Sequence, residues 1–324
     1  MGAGSWGTAL ALQFARRGLE VRLWGRNSAD IEAAARDREN KRYLPDAAFP
    51  DNIHPVTELE AALEGVQDVL ISVPSHALRE SLTAVRSILP RDARVCWATK
   101  GFELTTGQLP HQVAAEVLGA DRPMAVLSGP TFAREVGDGL PTAMTIAGND
   151  AEFATELANA LSGAEFRVYT STDMLGVEVG GAVKNVLAIG AGISDGLGFG
   201  ANTRIALINR GLAEMTRLGV ALGAQAETFM GLAGMGDLVL TCTDDLSRNR
   251  RMGLALAAGK TVDEAQEEIQ QVVEGVLAAK AVREVALKHD VEMPICQQIY
   301  RILYEGASPR DAVTALMSRA LKPE

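Results

Sequence analysis

A single lysine, Lys184, stands in an apolar, glycine-rich stretch of the chain, VEVGGAVKNVLAIGAG. A lysine in an apolar helix is costly unless its charge is used, and burial readily lowers the pKa of such an amine. The amine can give a proton to a carbonyl oxygen that is being reduced, and can take it back in the reverse reaction. The alternative is a lysine that extends its ammonium to solvent from a domain border. The neighbouring Asn185 could help to orient the reacting groups.

The densest basic cluster of the chain is Ser247-Arg248-Asn249 followed by Arg250 and Arg251. Arginine can hold a phosphate through two parallel hydrogen bonds, and the hydroxyl and amide that flank Arg248 favour capture of an anion. The alternative is a solvated loop that binds nothing, which is the usual fate of a run of charges.

One acid, Asp237, lies in a glycine turn within an apolar stretch. We expect its carboxylate near the hydroxyls of a substrate or near Lys184. Its alternative role is that of a turn or helix cap.

The chain opens with the glycine pattern GAGSWG, in which Gly2, Gly4 and Gly7 suit a dinucleotide pyrophosphate. The first glycine makes a tight turn, the second leaves room for the pyrophosphate, and the third lets a helix pack on the sheet. The pattern alone is weak, but residues 8–17 predict a helix that ends at Gly18, and residues 21–24 predict a strand. Only Met1 precedes the loop, so the first strand of such a fold is missing. We expect a chain extended by about six residues to bind cofactor better or to be more stable.

The end of the strand at residues 21–24 indicates which nicotinamide cofactor fits. An acidic residue there would bind the ribose 2′-hydroxyl, whereas this chain has Gly25-Arg26-Asn27. Arg26 could pair with a 2′-phosphate, which favours NADP and does not exclude NAD. It could equally be a solvated surface arginine.

Composition excludes several classes of protein. The 324 residues are 47% hydrophobic and 22% charged, which suits a protein of two domains. A net charge of −10 argues against nucleic acid or an anionic membrane as a partner. Scattered cysteines and histidines without metal-ligand spacing predict reduced thiols in the cytoplasm and no metal site. We expect neither a signal peptide nor a membrane-spanning helix.

The pattern of secondary structure changes near Thr172. Before it, short apolar runs alternate with helical stretches and predict a Rossmann-like α/β domain, residues 1–172, with a doubly wound and largely parallel sheet. Further strands are predicted at residues 68–73, 94–99, 124–128, 142–147 and 166–169, and a long loop at residues 41–55. After it, helical periods at residues 177–193, 204–222, 275–288, 295–304 and 309–321 predict an all-α domain, residues 173–324.

Several long motifs follow one another along the chain: GAGSWGTALA, LWGRN, WATKGFE, SGPTFAREV, GGAVKNVLAIGAGISDGLGFGANT, GMGDLVLTCT, SRNRRMG and VVEG. With them the sequence resembles the bacterial NAD(P)-dependent glycerol-3-phosphate dehydrogenase family, from about Gly2 to Arg319. The resemblance implies reduction of dihydroxyacetone phosphate to sn-glycerol 3-phosphate with NADPH or NADH. It also implies a role in supplying the glycerophospholipid backbone, and a cytoplasmic homodimer.

The resemblance assigns roles to individual residues, with Lys184 as the proton donor and acceptor. Cofactor contacts are expected for Gly2, Gly4, Ser5, Trp6, Gly7, Arg26, Lys100, Ala133, Arg248, Val272 and Glu274. Substrate contacts are expected for Lys100, Gly129, Thr131, Lys184, Asp237, Ser247, Arg248 and Asn249. Lys100 and the turn at Gly129 follow predicted strands, where ligands bind in such sheets. His76 also follows a strand, but the resemblance points to lysine chemistry, and we assign His76 a position near the cofactor.

Two other functions stay open. A related dehydrogenase with the same two-domain plan could act on a 3-hydroxy acid or a sugar acid, but a carboxylate substrate does not need the phosphate grip of the Arg248 cluster. A non-catalytic NAD-binding or regulatory protein would not need Lys184, Asp237 and that cluster together. The long apolar helices of the second half could form a dimer interface or merely a core.

Overall fold

Strands and helices alternate in the first half of the chain, and helices follow in the second. The computed structural model describes residues 1–318. Two units are separated by their internal contacts: Met1–Lys100 with Pro110–Met174, and Gly101–Leu109 with the chain from Leu175 onward. The segment Gly101–Leu109 belongs to the second unit because Phe102 and Leu109 are buried in its core.

The strands described in the first unit form two sheets. A parallel pair consists of β1 (Val21–Trp24) and β2 (Ile53–Val56). The larger sheet has the order β3 (Asp68–Ile71), β4 (Arg94–Trp97), β5 (Met124–Ser128), β6 (Thr142–Gly148) and β7 (Phe166–Ser171). Neighbouring strands of this sheet run parallel, apart from the antiparallel pair β5 and β6. The prediction of a largely parallel Rossmann-like sheet is confirmed.

Met1 and Gly2 lie between these two sheets. The Met1 amino group donates to the Leu70 carbonyl at 2.7 Å, and the Ser72 amide donates to the Met1 carbonyl at 2.9 Å. The Gly2 amide donates to the Trp24 carbonyl at 2.9 Å. The start of the chain is thus hydrogen-bonded on one side beside β3 and on the other to β1. The expected benefit of a longer strand at this position stays a prediction.

The helices of the first unit connect these strands: α1 (Ser5–Arg16), α2 (Ser28–Asp37), α3 (Leu59–Leu63), α4 (Ser75–Arg86), α5 (Pro110–Leu118), α6 (Ala133–Gly137) and α7 (Ala151–Leu161). Apolar side chains of α1, including Leu10 and Leu12, share one core with Leu127 of β5 and Ile146 of β6. Gly18 has a φ of +82°, as expected where α1 ends. The core therefore fixes the first helix, and with it the glycine loop, on the sheet.

The prediction that residues 41–55 form a loop throughout was wrong at its end. Ile53 begins β2 and is fully buried in the core of the first unit. Pro55 obscured the strand because proline cannot donate a hydrogen bond to a sheet. The residue is tolerated here because β2 pairs with β1 alone among the described strands, so Pro55 lies at a sheet edge.

The second unit is helical throughout its described residues. Its helices are α8 (Met174–Gly196), α9 (Ala201–Leu222), α10 (Asp237–Thr243), α11 (Arg248–Ala257), α12 (Val262–Ile269), α13 (Glu274–Lys288), α14 (Pro294–Tyr304) and α15 (Pro309–Met317). A 3₁₀ turn (Ala226–Met230) and a π-helical turn (Leu232–Gly236) precede α10. The all-α prediction is confirmed, and the short helices α10 to α12 were not predicted. Residues 319–321 of the last predicted helix lie outside the described residues.

Helix α8 is the central helix of this unit. Its length and composition would allow it to span a membrane, but its most apolar 18-residue window is 94% buried inside the protein. Such burial is that of a core helix. The glycines of α8 allow close packing, because a Cβ atom on Gly192 would lie only 2.0 Å from the Arg250 carbonyl oxygen of α11.

Glu214 of α9 is a buried carboxyl that caps another helix. Glu214 is 2% exposed. Its carboxyl accepts hydrogen bonds from the backbone amides of Ile295 (2.7 Å) and Cys296 (3.1 Å) in the first turn of α14. The N-cap residue of α14, Met293, makes no side-chain cap, so Glu214 takes that role. Burial raises the pKa of Glu214 to about 7, against the opposing effect of these hydrogen bonds.

This raised pKa predicts a pH dependence of stability. As the pH rises, the unfolded chain loses the Glu214 proton before the folded chain does, so the free energy of unfolding falls between about pH 4.5 and pH 7. Glu214→Gln should remove this contribution to the pH dependence. Over that pH range the contribution to the free energy of unfolding is at most about 3 kcal/mol. Chemical unfolding of both proteins at pH 5 and pH 8 measures the difference, and equal pH slopes would contradict the prediction.

Candidate functional site

The glycine loop between Met1 and α1 is shaped by close contacts. Gly2 has a φ of +92°, and a Cβ atom on it would lie 2.3 Å from the Ser72 carbonyl oxygen. A Cβ on Gly7 would lie 1.9 Å from the Gly2 carbonyl oxygen. No other atom of the described chain comes within 4 Å of a Cβ placed on Gly4, so this residue faces open space. These are the three glycine roles of a dinucleotide loop.

The first turn of α1 offers backbone amides to a ligand. Amides at the start of a helix lack intrahelical acceptors, and the N-cap residue Gly4 has no side chain with which to cap them. The Ser5 hydroxyl donates to the Tyr43 carbonyl at 2.6 Å, and Trp6 packs beside the core with its indole N–H buried and without a partner in the described chain. The backbone amides of this first turn are therefore available to a bound phosphate.

The other predicted residues of the first unit follow the ends of strands. Lys100 comes after β4, and His76 lies exposed in the first turn of α4 after β3. Gly129 after β5 has a φ of +150°, and a Cβ on it would lie 2.9 Å from the Met144 Cα atom. The Thr131 hydroxyl donates to the Gly129 carbonyl at 3.3 Å, and Ala133 begins α6. Because β3, β4 and β5 are parallel neighbours, their carboxyl ends lie side by side, and these residues follow those ends.

Arg26 lies exposed in the turn between β1 and α2. The neighbouring Asn27 caps α2 by accepting a hydrogen bond from the Ala29 amide at 3.1 Å. No hydrogen bond or ion pair engages the Arg26 side chain in residues 1–318. Its guanidinium is therefore available to an anion beside the end of β1.

In the second unit, Lys184 and Asp237 form a buried ion pair. Their side chains are 8% and 1% exposed, and the Lys184 ammonium donates to the Asp237 carboxylate. The ammonium also donates to the Thr241 hydroxyl at 3.0 Å, and that hydroxyl donates to the Asp237 carbonyl at 2.5 Å. Hydrogen bonds of this kind are what a buried charge pair needs to be tolerated. The alternative of a solvent-reaching Lys184 is excluded by this burial.

Backbone packing brings this pair together. A Cβ atom on Gly180, one turn before Lys184, would lie 2.5 Å from the Ala233 carbonyl oxygen, so α8 touches the π-helical turn directly. That turn leads into α10, whose first residue is Asp237. Turns of π-helix are frequent at functional sites because they re-aim the residues that follow.

Two asparagines join Lys184 to the basic cluster. The Asn249 side-chain NH₂ donates to the Asn185 side-chain oxygen at 2.9 Å, and the Asn249 side-chain oxygen accepts from the Gly275 backbone amide at 2.8 Å. Asn249 is buried, and it links α8, α11 and the start of α13. The residues beside the two asparagines, Lys184 and Arg248, are thereby held in one neighbourhood.

The three arginines of the cluster differ in their surroundings. Arg250 is buried and paired with Asp195 and Asp245, and Arg251 is exposed. Arg248 is partly buried, and its guanidinium makes no hydrogen bond or ion pair within the described chain. Burial lowers the pKa of Arg248, and the Glu274 carboxylate opposes that effect. A desolvated guanidinium that makes no direct hydrogen bond favours the binding of an anion.

The remaining predicted residues of this unit lie at helix starts. Ser247 is the N-cap of α11, and its hydroxyl accepts from the Arg250 amide at 3.2 Å. Val272 is exposed before α13, and Glu274 is the first residue of that helix. The first turn of α11 therefore carries Arg248 together with amides that attract an anion.

Both halves of the chain are similar to known proteins. The model of the N-terminal region of NAD-dependent glycerol-3-phosphate dehydrogenase matches residues 1–154, and the model of its C-terminal region matches residues 173–314. The chain belongs to this glycerol-3-phosphate dehydrogenase family.

Individual members of the glycerol-3-phosphate dehydrogenase family are similar over their whole length. The enzyme named glycerol-3-phosphate dehydrogenase (NAD(P)+) from Tolumonas auensis is 54% identical, with 100% of this chain and 97% of the relative covered. The enzyme of the same name from Nitrosococcus oceani is 56% identical, and the match covers 100% of this chain and 94% of the relative. A crystal structure of glycerol-3-phosphate dehydrogenase from Coxiella burnetii has a TM-score of 0.95 at 49% identity, covering 98% of this chain and 97% of that one.

One hydrogen-bonding partner of the buried pair was missed by sequence reasoning. Thr241 was not singled out, although it lies four residues after Asp237 on what proves to be α10. A spacing of four places two side chains on the same face of a helix. That signal was available, but it needed the helix α10, which the sequence patterns did not predict.

Proposed function

We propose that this chain reduces dihydroxyacetone phosphate to sn-glycerol 3-phosphate with NADPH or NADH, and catalyses the reverse reaction. The C2 carbonyl carbon gains a hydride and its oxygen gains a proton, while the cofactor is oxidised to NADP⁺ or NAD⁺. The product is the backbone of glycerophospholipids, and we propose that the enzyme supplies it. The observation that carries the proposal is the buried Lys184 ammonium held by Asp237, in the same helical unit as Arg248, whose guanidinium makes no hydrogen bond within the described residues.

The glycine loop fits a dinucleotide cofactor. Gly4 leaves space for the pyrophosphate, and the first-turn amides of α1, at Ser5, Trp6 and Gly7, attract its charge. When bound, the nicotinamide supplies the hydride in the reduction. We propose further cofactor contacts for Gly2, Arg26, Lys100, Ala133, Arg248, Val272 and Glu274.

Lys184 manages the proton on the C2 oxygen. Its ammonium holds the proton on Nζ, gives it to the oxygen as hydride arrives at carbon, and accepts it in the reverse reaction. Asp237 and Thr241 accept hydrogen bonds from the same ammonium, and so orient Nζ without competing as proton donors to substrate. Asp237 also balances the charge of Lys184 in a buried setting.

Arg248 holds the phosphate group of the substrate. Its guanidinium can form two parallel hydrogen bonds to phosphate oxygens, and the start of α11 adds the Ser247 hydroxyl and the Asn249 backbone amide. Because the Asn249 side chain is already bonded to Asn185 and Gly275, its backbone is the better candidate for substrate contact. We propose further substrate contacts for Lys100, Gly129 and Thr131.

The direct test of this function is cofactor oxidation by the purified protein. Dihydroxyacetone phosphate should cause oxidation of NADPH or NADH, whereas dihydroxyacetone, which lacks the phosphate, and 2-oxo acids of similar size should not at the same concentration. Turnover of a 2-oxo acid in preference would favour the related hydroxy-acid dehydrogenases. Cofactor binding without turnover of any of these would favour a regulatory protein.

Arg26 is proposed to favour NADPH over NADH. Arg26→Ala should raise KM for NADPH roughly tenfold, the loss of one charged hydrogen bond, and should leave KM for NADH nearly unchanged. Arg36 on α2 is also an exposed arginine, so Arg36→Ala serves as the control and should change neither value. A similar change in both KM values for Arg26→Ala would argue against contact with the 2′-phosphate.

We also propose that the protein is a cytoplasmic homodimer. The three cysteines are all buried and unpaired by disulfides, which suits a reducing compartment. Two large apolar side chains of α9, Ile205 and Val220, are 59% and 48% exposed and would be covered by a second copy. Light scattering should give twice the mass of one chain, and the mass of a single chain would contradict the proposal.

A further inference from the structure

The first turn of α11 is attached to α8 at two well-separated points. Asn249 bonds to Asn185, next to Lys184. The following residue, Arg250, pairs with Asp195, which lies ten residues further along α8. Ten residues of helix span about 15 Å, so two adjacent residues of α11 reach points of α8 that are far apart. Two attachments that are far apart restrict rotation of α11 relative to α8 more than a single attachment would.

The second attachment is a buried charge network. The Arg250 guanidinium donates to the Asp195 carboxylate and, through Nε, to Asp245 at 2.8 Å in the loop before α11. Asp195 also accepts from Arg204, in the first turn of α9, at 2.7 Å. Arg250 and Asp195 are both largely buried, whereas Asp245 is exposed. Arg250 therefore ties the start of α11 both to α8, through Asp195, and to the loop before α11, through Asp245.

At their closest contact, α8 and α11 approach each other through backbone atoms. A Cβ atom on Gly253 would lie 2.0 Å from the Ile189 carbonyl oxygen, and one on Gly192 would lie 2.0 Å from the Arg250 carbonyl oxygen. The smooth crossing allows close approach but does not by itself fix rotation. The polar attachments on either side of it, at Asn249 and Arg250, add directional contacts to the apolar packing of Met252 and Leu256.

We propose that Asp195 and Arg250 are positioning residues for phosphate recognition, acting through Arg248. Their ion pair fixes the first turn of α11 and thus the distance between the Arg248 guanidinium and the Lys184 amine. This inference rests on the proposed function in one respect, that Arg248 receives the phosphate of the substrate. Neither Asp195 nor Arg250 contacts substrate in this account.

The test is the steady-state kinetics of Asp195→Asn in the full-length enzyme. KM for dihydroxyacetone phosphate should rise roughly tenfold, as expected when one charged hydrogen bond is weakened, while kcat and KM for the cofactor stay within about threefold. In an Arg248→Ala background the same substitution should add less than about twofold, because residues that act through one another are not additive. An unchanged KM, or an additive effect in that background, would overturn the inference.

A second variant and a control separate positioning from general loss of structure. Arg250→Lys keeps the charge but cannot bridge two carboxylates with a rigid fork, and should raise the same KM. Arg204→Gln removes the second ion pair of Asp195 and leaves the pair between Asp195 and Arg250. KM of this variant for dihydroxyacetone phosphate should therefore stay within about twofold of the wild type. An equal rise for Arg204→Gln would overturn the inference.

Inorganic phosphate tests the inference independently of catalysis. Phosphate should raise the thermal unfolding temperature of the wild type, and Asp195→Asn should need roughly ten times more phosphate for the same rise. If the wild type responds to phosphate and the variant responds equally, the positioning role is overturned. If the wild type binds phosphate but does not turn over dihydroxyacetone phosphate, the proposed function fails while the positioning role can still be supported by the variant.

Discussion

Lys184→Ala is expected to lower kcat by roughly a thousandfold or more, because a positioned general acid contributes about 10²- to 10⁴-fold to a rate. KM for dihydroxyacetone phosphate should change much less, since the proposed contact between Arg248 and the substrate phosphate remains. Steady-state rates with saturating cofactor measure both quantities. A kcat within tenfold of the wild type would contradict the role of Lys184 as proton donor.

The same variant leaves the Asp237 carboxylate buried without its partner. Removing one member of a buried ion pair costs about 3–5 kcal/mol, so Lys184→Ala should also unfold at a lower temperature. The double variant Lys184→Ala, Asp237→Asn removes the unpaired charge and should recover much of that stability. Its kcat should remain low. Recovery of kcat together with stability would show that the loss in the single variant came from misfolding.

Arg248→Ala is expected to raise KM for dihydroxyacetone phosphate roughly a hundredfold, from the loss of two charged hydrogen bonds of about 1.5 kcal/mol each. The cofactor KM should change less, because most of its proposed contacts lie elsewhere. Arg251→Ala is the matched control: it removes an exposed arginine of the same run and should leave KM nearly unchanged. Equal effects of the two substitutions would indicate a diffuse electrostatic attraction rather than a defined phosphate site.

The sequence predicted the features that depend on local patterns. Apolar runs gave β3 to β7, and the lysine in an apolar stretch marked Lys184, because both signals come from neighbours in the chain. The strand β2 was missed because its pairing with β1 overrides the proline within it. The helix predicted at residues 8–17 begins earlier, at Ser5, because its first turn is part of the glycine loop.

Pairing between distant residues was predictable only in part. Proximity of Asp237 to Lys184 was expected from the resemblance and from its apolar surroundings, and the ion pair agrees with that expectation. The separate fates of Arg248, Arg250 and Arg251 were not predictable. In the sequence they are equivalent members of one basic run, and the partner that removes Arg250 from it, Asp195, lies 55 residues earlier.

The most direct test of the proposed reaction is to follow the transferred hydrogen. The wild-type protein is given dihydroxyacetone phosphate and reduced cofactor carrying two deuterium atoms at C4 of the nicotinamide, so that transfer from either face delivers the label. The product is analysed by mass spectrometry and NMR. The proposed reaction yields sn-glycerol 3-phosphate with one deuterium atom on C2. Cofactor oxidation without deuterium in that product, or no oxidation by the folded protein with either NADPH or NADH, would contradict it.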